Sequence, residues 1–244
     1  MTTDTGKCCY QTKTNFDKLL ISILAAFNVA SFVYSVNLKN ALYALSSLAS
    51  LALVFLPCFF EYFFSLRISS DLKIIYWFLA VGGPVLGNVY RFYHYIRPWD
   101  KILHMLSGFL AAAFGYALPD FLLKEPPGKA FKCFFAVSLS IAIGGLWEIY
   151  EYIVDVFFRL DLQNDTVITG FSSYLLGDAP GTIGSIENIQ TVSINGEPLE
   201  EGYIDIGLID TMKDMIQCLI GSILCAVTAL LQKPGSRFAT IRAV

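Results

Sequence analysis

Three stretches of this chain place ionisable side chains inside otherwise apolar segments. These side chains are Asp100, His104, Glu148, Glu151, Asp210 and Asp214. Carboxylates can exchange protons or hold hard cations, and an imidazole can act as a base or as a metal ligand. Their combination is typical of acid–base or metal chemistry.

In each stretch the polar and small residues recur at helical spacing, which places them on one face of a helix. The three stripes are Asp100, His104, Ser107, Ala111 and Gly115; Ser140, Gly144, Glu148, Glu151 and Asp155; and Asp210, Asp214, Gln217 and Gly221. Each stripe has small residues at one end and charged residues at the other. Small residues let helices approach closely in lipid. We therefore expect three helices to converge on one pocket.

The elements that carry these stripes are membrane spans. The chain has 244 residues, 55% hydrophobic and only 15% charged, which is membrane composition. Six apolar runs are long enough to cross a bilayer, at residues 19–36, 41–64, 72–95, 102–123, 131–157 and 208–231. The sequence predicts an all-α integral membrane protein with six transmembrane helices, in which Gly82-Gly83-Pro84 kinks the third.

Lysine and arginine residues set the orientation of these spans. Eleven flank one side of the membrane and five flank the other, so both termini are expected in the cytoplasm. The domains are then a cytoplasmic tail at 1–18, the transmembrane domain at 19–231 and a cytoplasmic tail at 232–244. All three charged stripe ends face the extracytoplasmic side.

Residues 160–207 form the one substantial extracytoplasmic insertion, between the fifth and sixth spans. Within it, Asn195-Gly196 between short β-prone runs predicts a small hairpin with a type I′ turn. Gly177, Pro180, Gly181 and Gly184 are typical of a flexible loop. Whether this insertion covers the pocket as a lid or only connects two helices stays open.

Charge and cysteine content exclude several classes of function. The net charge of −3 offers no basic surface for nucleic acid. The six cysteines show no Cys-x-x-Cys spacing, which argues against a zinc knuckle and a disulfide framework.

A charge inside the hydrocarbon costs at least about 2.5–3.5 kcal/mol, and clustered carboxylates cannot all stay ionised without a cation. The pocket is therefore expected to bind a metal, a cationic ligand or protons. Carboxylate oxygens with one imidazole suit Mg²⁺, Mn²⁺ or Zn²⁺. We expect metal ligands from Asp100, His104, Glu148, Glu151, Asp210 and Asp214, and catalytic roles for His104, Glu148, Glu151 and Asp214. Neither a ferritin-type site nor a His-Glu-x-x-His motif is present.

Each acidic residue also has a simpler interpretation. Asp210 can cap the last helix, with Asp214 at the positive end of its dipole. Asp100 can pair with Lys101 or orient His104, and Asp155 can be solvated at a helix exit. Glu148 and Glu151 lie about two turns inside an apolar helix, which favours a functional or ion-pairing role.

These motifs resemble the YjdF-like family of uncharacterised bacterial inner-membrane proteins. The resemblance rests on Asp100-Lys101-x-x-His104-x-x-x-Gly108, on Glu148-x-x-Glu151 and on Asp210-Thr211-x-x-Asp214-Met215, in that order. It implies a bacterial plasma membrane and no established activity. Relatives often carry Glu where this chain has Asn88. A looser resemblance links the first motif to VanZ-like membrane proteins.

Three functions follow as hypotheses. The first is a metal-dependent enzyme or binder acting on a lipid or cell-envelope substrate, with a divalent ion as cofactor. The second is a proton-coupled small transporter that uses the carboxylates as a relay. The third is a non-catalytic scaffold or envelope-stress protein. The expected partners are the bilayer and such a substrate, and the sequence indicates no oligomeric state.

Overall fold

The computed structural model describes residues 4–233 and 240–243, with side-chain surroundings from residue 15 onward except those of Glu200 and Ala243. Residues 1–3, 234–239 and 244 of the two predicted tails lie outside this part. The side chains of Cys8 and Cys9 also lie outside it.

Helices dominate the described residues. They are α1 (Asp4–Asn37), α2 (Ala41–Val54), α3 (Leu56–Phe63), α4 (Ser70–Val81), a π-helix (Gly82–Val89), α5 (Phe92–Tyr95), α6 (Trp99–Leu122), α7 (Lys129–Phe158) and α8 (Leu208–Leu231). In the described part they provide six stretches long and apolar enough to cross a membrane, as predicted. α1 reaches back to Asp4, into the predicted tail.

The prediction that the third span continues to residue 95 is wrong. The spanning stretch runs from Ser70 to Val89, and Arg91 then takes a left-handed conformation at φ 60°. Its last eight residues form a π-helix that contains Gly82, Gly83 and Pro84. Pro84 lacks the N–H that an α-helix would aim at the carbonyl of Ala80, so the regular ladder fails there. The hydroxyl of Ser50 donates to that carbonyl instead, at 2.8 Å.

Within the described ranges, eight short strands form four antiparallel pairs. They are β1 (Leu66–Ile68) with β8 (Ile241–Ala243), β2 (Thr166–Ile168) with β7 (Tyr203–Asp205), β3 (Phe171–Ser173) with β4 (Gly184–Ile186), and β5 (Thr191–Ile194) with β6 (Glu197–Glu200). The β5–β6 hairpin confirms the Asn-Gly prediction, because Asn195 and Gly196 both have positive φ. Of the four residues predicted to lie in a flexible loop, Gly184 begins β4, whereas Gly177, Pro180 and Gly181 lie outside the strands.

The chain divides into two compact units. The larger unit comprises residues 1–144 and 216–244, and the smaller unit comprises residues 145–215. In the larger unit one apolar cluster joins Leu72 to Ala112, Ala136 and Cys225. A second cluster of valines lies between α1, α2 and the π-helix. The smaller unit contains the end of α7, the six strands of the insertion and the first two turns of α8.

Candidate functional site

The start of α6, in the larger unit, carries a histidine–carboxylate pair. His104 Nε2 lies 3.5 Å from Asp100 Oδ1, one helical turn away, and Lys101 Nζ lies 3.2 Å from Asp100 Oδ2. The imidazole is nearly buried, with its side chain 11% exposed. A carboxylate in the first turn is favoured by the helix dipole. The pair can therefore hold the imidazole in one orientation, as a base or ligand requires.

Trp99 fixes the position at which α6 begins. Its side chain is buried, and its indole N–H donates to the carbonyl of Gly82 at 3.2 Å. The same ring packs against Phe78 and Phe92. The first turn of α6 is thus attached to the beginning of the π-helix, and the Gly-Gly-Pro disruption contributes an acceptor there.

Within the larger unit, α6, α7 and α8 meet at backbone distance. The hydroxyl of Ser140 donates to the carbonyl of Gly108 at 2.9 Å, and it lies 3.7 Å from Cys218 Sγ. A Cβ atom on Gly108 would overlap the carbonyl of Cys218, and one on Gly221 would overlap that of Met105. The predicted convergence of three helices through small residues therefore holds in this unit.

The contact face of α6 differs from the predicted stripe by one position. Ser107 is exposed and its hydroxyl bonds to the carbonyl of His104 in its own helix. Gly108 and Ala112 are buried in its place. On α8, Cys218 is buried and Gln217, the residue of the predicted stripe, is only half-buried. On α7, Ser140, Glu148 and Glu151 are all buried, as their spacing predicted.

The smaller unit holds four buried carboxylates on its two helical segments. Asp214 is 1% exposed, Glu148 6%, and Glu151 and Asp210 8% each. The indole N–H of Trp147 donates to Glu151 Oε1 at 2.8 Å, and the amide of Asn164 donates to Asp210 Oδ2 at 3.3 Å. Sequence reasoning missed both donors. Trp147 stands four residues before Glu151, a spacing that brings two side chains together on a helix.

Asp155 and Asp205 have local structural roles in this unit. Asp155 accepts the backbone N–H groups of Leu162 and Gln163, at 2.7 and 3.0 Å, and so fixes the chain reversal after α7. Asp205 accepts the N–H of Ile209 at 2.7 Å and caps the start of α8. The capping role that the sequence offered to Asp210 thus belongs to Asp205.

The charge of the smaller unit is strongly one-sided. Between residues 145 and 215 the sequence has thirteen acidic residues and two basic ones, Arg159 and Lys213. Both basic side chains are exposed. This segment therefore supplies no buried lysine or arginine of its own to balance its buried carboxylates.

The structure thus brings together two subsets of the predicted site residues. Asp100 and His104 lie one turn apart in the larger unit, and Glu148, Glu151, Asp210 and Asp214 are the buried carboxylates of the smaller unit. The prediction that all six form one site stays a prediction.

Comparison with known proteins identifies the family. The model of a family described as "Predicted membrane protein (DUF2238)" matches residues 16–234. The chain belongs to this family. The match includes all three polar motifs, and the family resemblance inferred from them is confirmed. The looser likeness to VanZ-like proteins stays a prediction.

A relative in Thermotoga maritima, an uncharacterised protein, is 35% identical over 74 residues. This stretch covers 29% of the present chain and 37% of that protein, so the similarity spans little more than a third of the relative. No solved structure matches the chain. The family is described only as a membrane protein, and function has to be argued from the residues.

Proposed function

We propose that this membrane protein is a metal-dependent enzyme or binder that acts on a lipid or cell-envelope substrate. The divalent ion, Mg²⁺, Mn²⁺ or Zn²⁺, is held among Asp100, His104, Glu148, Glu151, Asp210 and Asp214. The observation that carries the proposal is the burial of Asp214 at 1% exposure, in a unit with three more buried carboxylates and only exposed basic residues.

Buried carboxylates are costly in such surroundings. Burying ionised groups costs several kcal/mol each, and like charges close together raise that cost. Hydrogen bonds from Trp147 and Asn164 offset part of it for Glu151 and Asp210. A divalent cation offsets more, because it neutralises two carboxylates at once and carboxylate oxygens are preferred ligands of Mg²⁺ and Mn²⁺.

Helical register supports adding Asp100 and His104 to this set. The fourth and sixth of six successive spans cross the membrane in the same direction, so α6 and α8 begin on the same side. In the larger unit, Gly108 of α6 meets Cys218 of α8. His104 and Asp214 each precede that contact by four residues, one helical turn. We propose on this basis that their side chains share the site.

The chemistry of the ligand set favours hydrolysis or transfer at a phosphoryl or acyl group. A bound divalent ion would polarise the substrate oxygen. His104, oriented by Asp100, is suited to take a proton from the attacking hydroxyl or water. The remaining carboxylates position the ion and exclude other charges. A site at the ends of membrane spans favours a lipid or lipid-linked substrate.

Metal content tests the proposal directly. The full chain is purified in detergent, treated with each divalent ion, desalted and analysed by elemental mass spectrometry. We expect about one equivalent in the parent protein and a loss of it in Asp214→Asn and His104→Ala. Glu187→Gln, which changes an exposed acid of the same unit, is the matched control and keeps the metal.

Circular dichroism and gel filtration establish that each variant is folded. Absence of metal from the folded parent protein would refute the metal-dependent function. That result would favour protonated carboxylates, and proton flux in liposomes would then decide between transport and a structural network.

A further inference from the structure

A two-stranded sheet joins parts of the larger unit that are distant in sequence. β1 follows α3, β8 lies near the end of the chain, and the two pair in antiparallel register. In this register Arg67 lies directly opposite Arg242, and both side chains are exposed. Directly opposite residues have Cβ atoms about 4.5–5.5 Å apart. The sheet therefore presents two arginine side chains from directly opposite positions.

The other face of this sheet is apolar and covers a groove. Because side chains alternate along a strand, Leu66, Ile68 and Ile241 point away from the arginines. Ile68 and Ile241 pack against the cluster around Leu72. A groove of about 170 Å³ continues between α3, α4 and α6, and its lining is apolar apart from Lys73. An engineered apolar cavity of about 150 Å³ accepts a benzene ring, so this groove can take part of a hydrocarbon chain.

The groove lies at the level of a membrane interface. Two residues separate the end of α3 from β1. The stacked pairs Phe59–Phe63 and Phe60–Phe64 lie on the surface at this end of α3. Tyr62 between them is 88% exposed. Aromatic residues at the end of a span are typical of the headgroup boundary. The arginine pair is therefore at the depth of lipid phosphates, and the groove is at the depth of acyl chains.

A buried ion-pair cluster holds β1 in this position. Glu61 accepts the backbone N–H of Ile68 at 2.9 Å and lies 2.9 Å from Lys73 Nζ, which lies 2.8 Å from Asp17. The charge of Lys73 is engaged by these two carboxylates. Arg67 and Arg242 lie on the exposed face of the sheet that this cluster holds in place.

We propose that Arg67 and Arg242 bind the phosphate of an anionic phospholipid and that one acyl chain of this lipid enters the groove beneath the sheet. Two adjacent guanidinium groups match phosphate oxygens in number and geometry. The apolar groove distinguishes a lipid from a soluble phosphate. A headgroup without its own cation is preferred, because the choline of a zwitterionic lipid cancels the attraction.

Native mass spectrometry of the full chain tests this site. The protein in detergent is mixed with equal amounts of dioleoyl phosphatidylglycerol and dioleoyl phosphatidylcholine. We expect the parent protein to retain the anionic lipid about tenfold more than the zwitterionic one. The double variant Arg67→Gln/Arg242→Gln should lose this preference, whereas Lys18→Gln/Lys233→Gln, which removes two exposed lysines outside the sheet, should keep it.

Two further measurements keep the proposal open to refutation. Equal retention of both lipids by the parent protein, or an unchanged preference in the arginine variant, would overturn it. Inorganic phosphate at millimolar concentration should not displace the lipid, and displacement would show a simple anion site. If the glutamine variant does not fold, the Arg67→Lys/Arg242→Lys variant replaces it and should weaken retention several-fold.

Discussion

The hydroxyl of Ser140 on α7 donates to the carbonyl oxygen of Gly108 on α6 at 2.9 Å. This bond is possible because Gly108 has no side chain to separate the two helices. The same glycine is in backbone contact with Cys218 of α8. One position without a Cβ atom thus fixes the spacing of three helices in the larger unit.

Gly108→Ala is expected to destabilise the protein by about 1–3 kcal/mol, the usual effect of inserting a methyl group into a packed contact. The added Cβ atom would overlap the backbone of Cys218, which cannot move without shifting α8. Thermal unfolding in detergent measures the change. Gly128→Ala is the matched control, because nothing lies within 4 Å of a Cβ atom there. Equal midpoints for the two variants would contradict the close packing.

Lys73→Met is expected to destabilise by about 3 kcal/mol, since breaking a buried ion pair from one side leaves its partners without compensation. Asp17 and Glu61 both contact this ammonium group, with side chains 14% and 27% exposed. The control is Lys132→Met, which removes the partner of Asp120, a side chain 39% exposed. That loss should cost less than about 1 kcal/mol. Chemical denaturation provides both values, and a larger effect at Lys132 would refute the prediction.

Ser50→Ala is expected to destabilise by about 0.6 kcal/mol and by no more than about 1.7 kcal/mol, the average and the maximum measured for hydrogen bonds between membrane helices. The lost bond is the one to the carbonyl of Ala80, to which Pro84 cannot donate. Replacing Pro84 by alanine restores an N–H at that position. The effect of Ser50→Ala should therefore be smaller in the Pro84→Ala background, and a double-mutant cycle measures the difference. Strictly additive effects would argue against this relationship.

The insertion should become less stable as the pH rises. Burial, with Asp161, Asp155 and Asp205 nearby, raises the pKa of Asp165 above its ordinary value of 3.8. The folded carboxyl holds its proton more tightly than the unfolded one, so its contribution favours folding at acid pH and is lost as the pH rises through the raised pKa. Asp165 is exposed, so solvent screening keeps the effect small.

Asp165→Asn should therefore raise the unfolding temperature slightly at pH 7. The gain should vanish about one pH unit below the ordinary pKa of 3.8, where the carboxyl is largely protonated in both states. Calorimetry from about pH 3 to about pH 8 measures the trend. Asp178→Asn, at another exposed acid of the same unit, is the control. If Asp165→Asn raised the unfolding temperature by the same amount at acid pH, titration of Asp165 would be excluded as the cause.

The buried face of α7 could be predicted from sequence because polar side chains on an apolar helix avoid lipid by facing the protein interior. Ser140, Glu148 and Glu151 recur at helical spacing, and all three are buried. The same reasoning failed at Ser107 of α6, because a serine in a helix can satisfy its hydroxyl on its own preceding turn and remain exposed. The neighbouring Gly108 then forms the contact.

Two other features could not be predicted from the sequence, for different reasons. Pro84 predicted a disruption of the third span, but a π-helix and a kinked α-helix satisfy that signal equally well. The sequence also stays hydrophobic past Val89, because the aromatic residues of α5 extend the apolar run. The donors to Glu151 and Asp210 depend on side-chain geometry that residue spacing alone does not determine.

The pairing of Arg67 with Arg242 joins positions that are separated by most of the chain. Contacts between such distant positions form late, because the intervening chain must first be ordered. During synthesis β1 emerges early and has no partner until α8 has entered the bilayer. Closure of this sheet therefore marks the completion of membrane insertion, and any lipid bound there would distinguish the finished protein from its partly inserted forms.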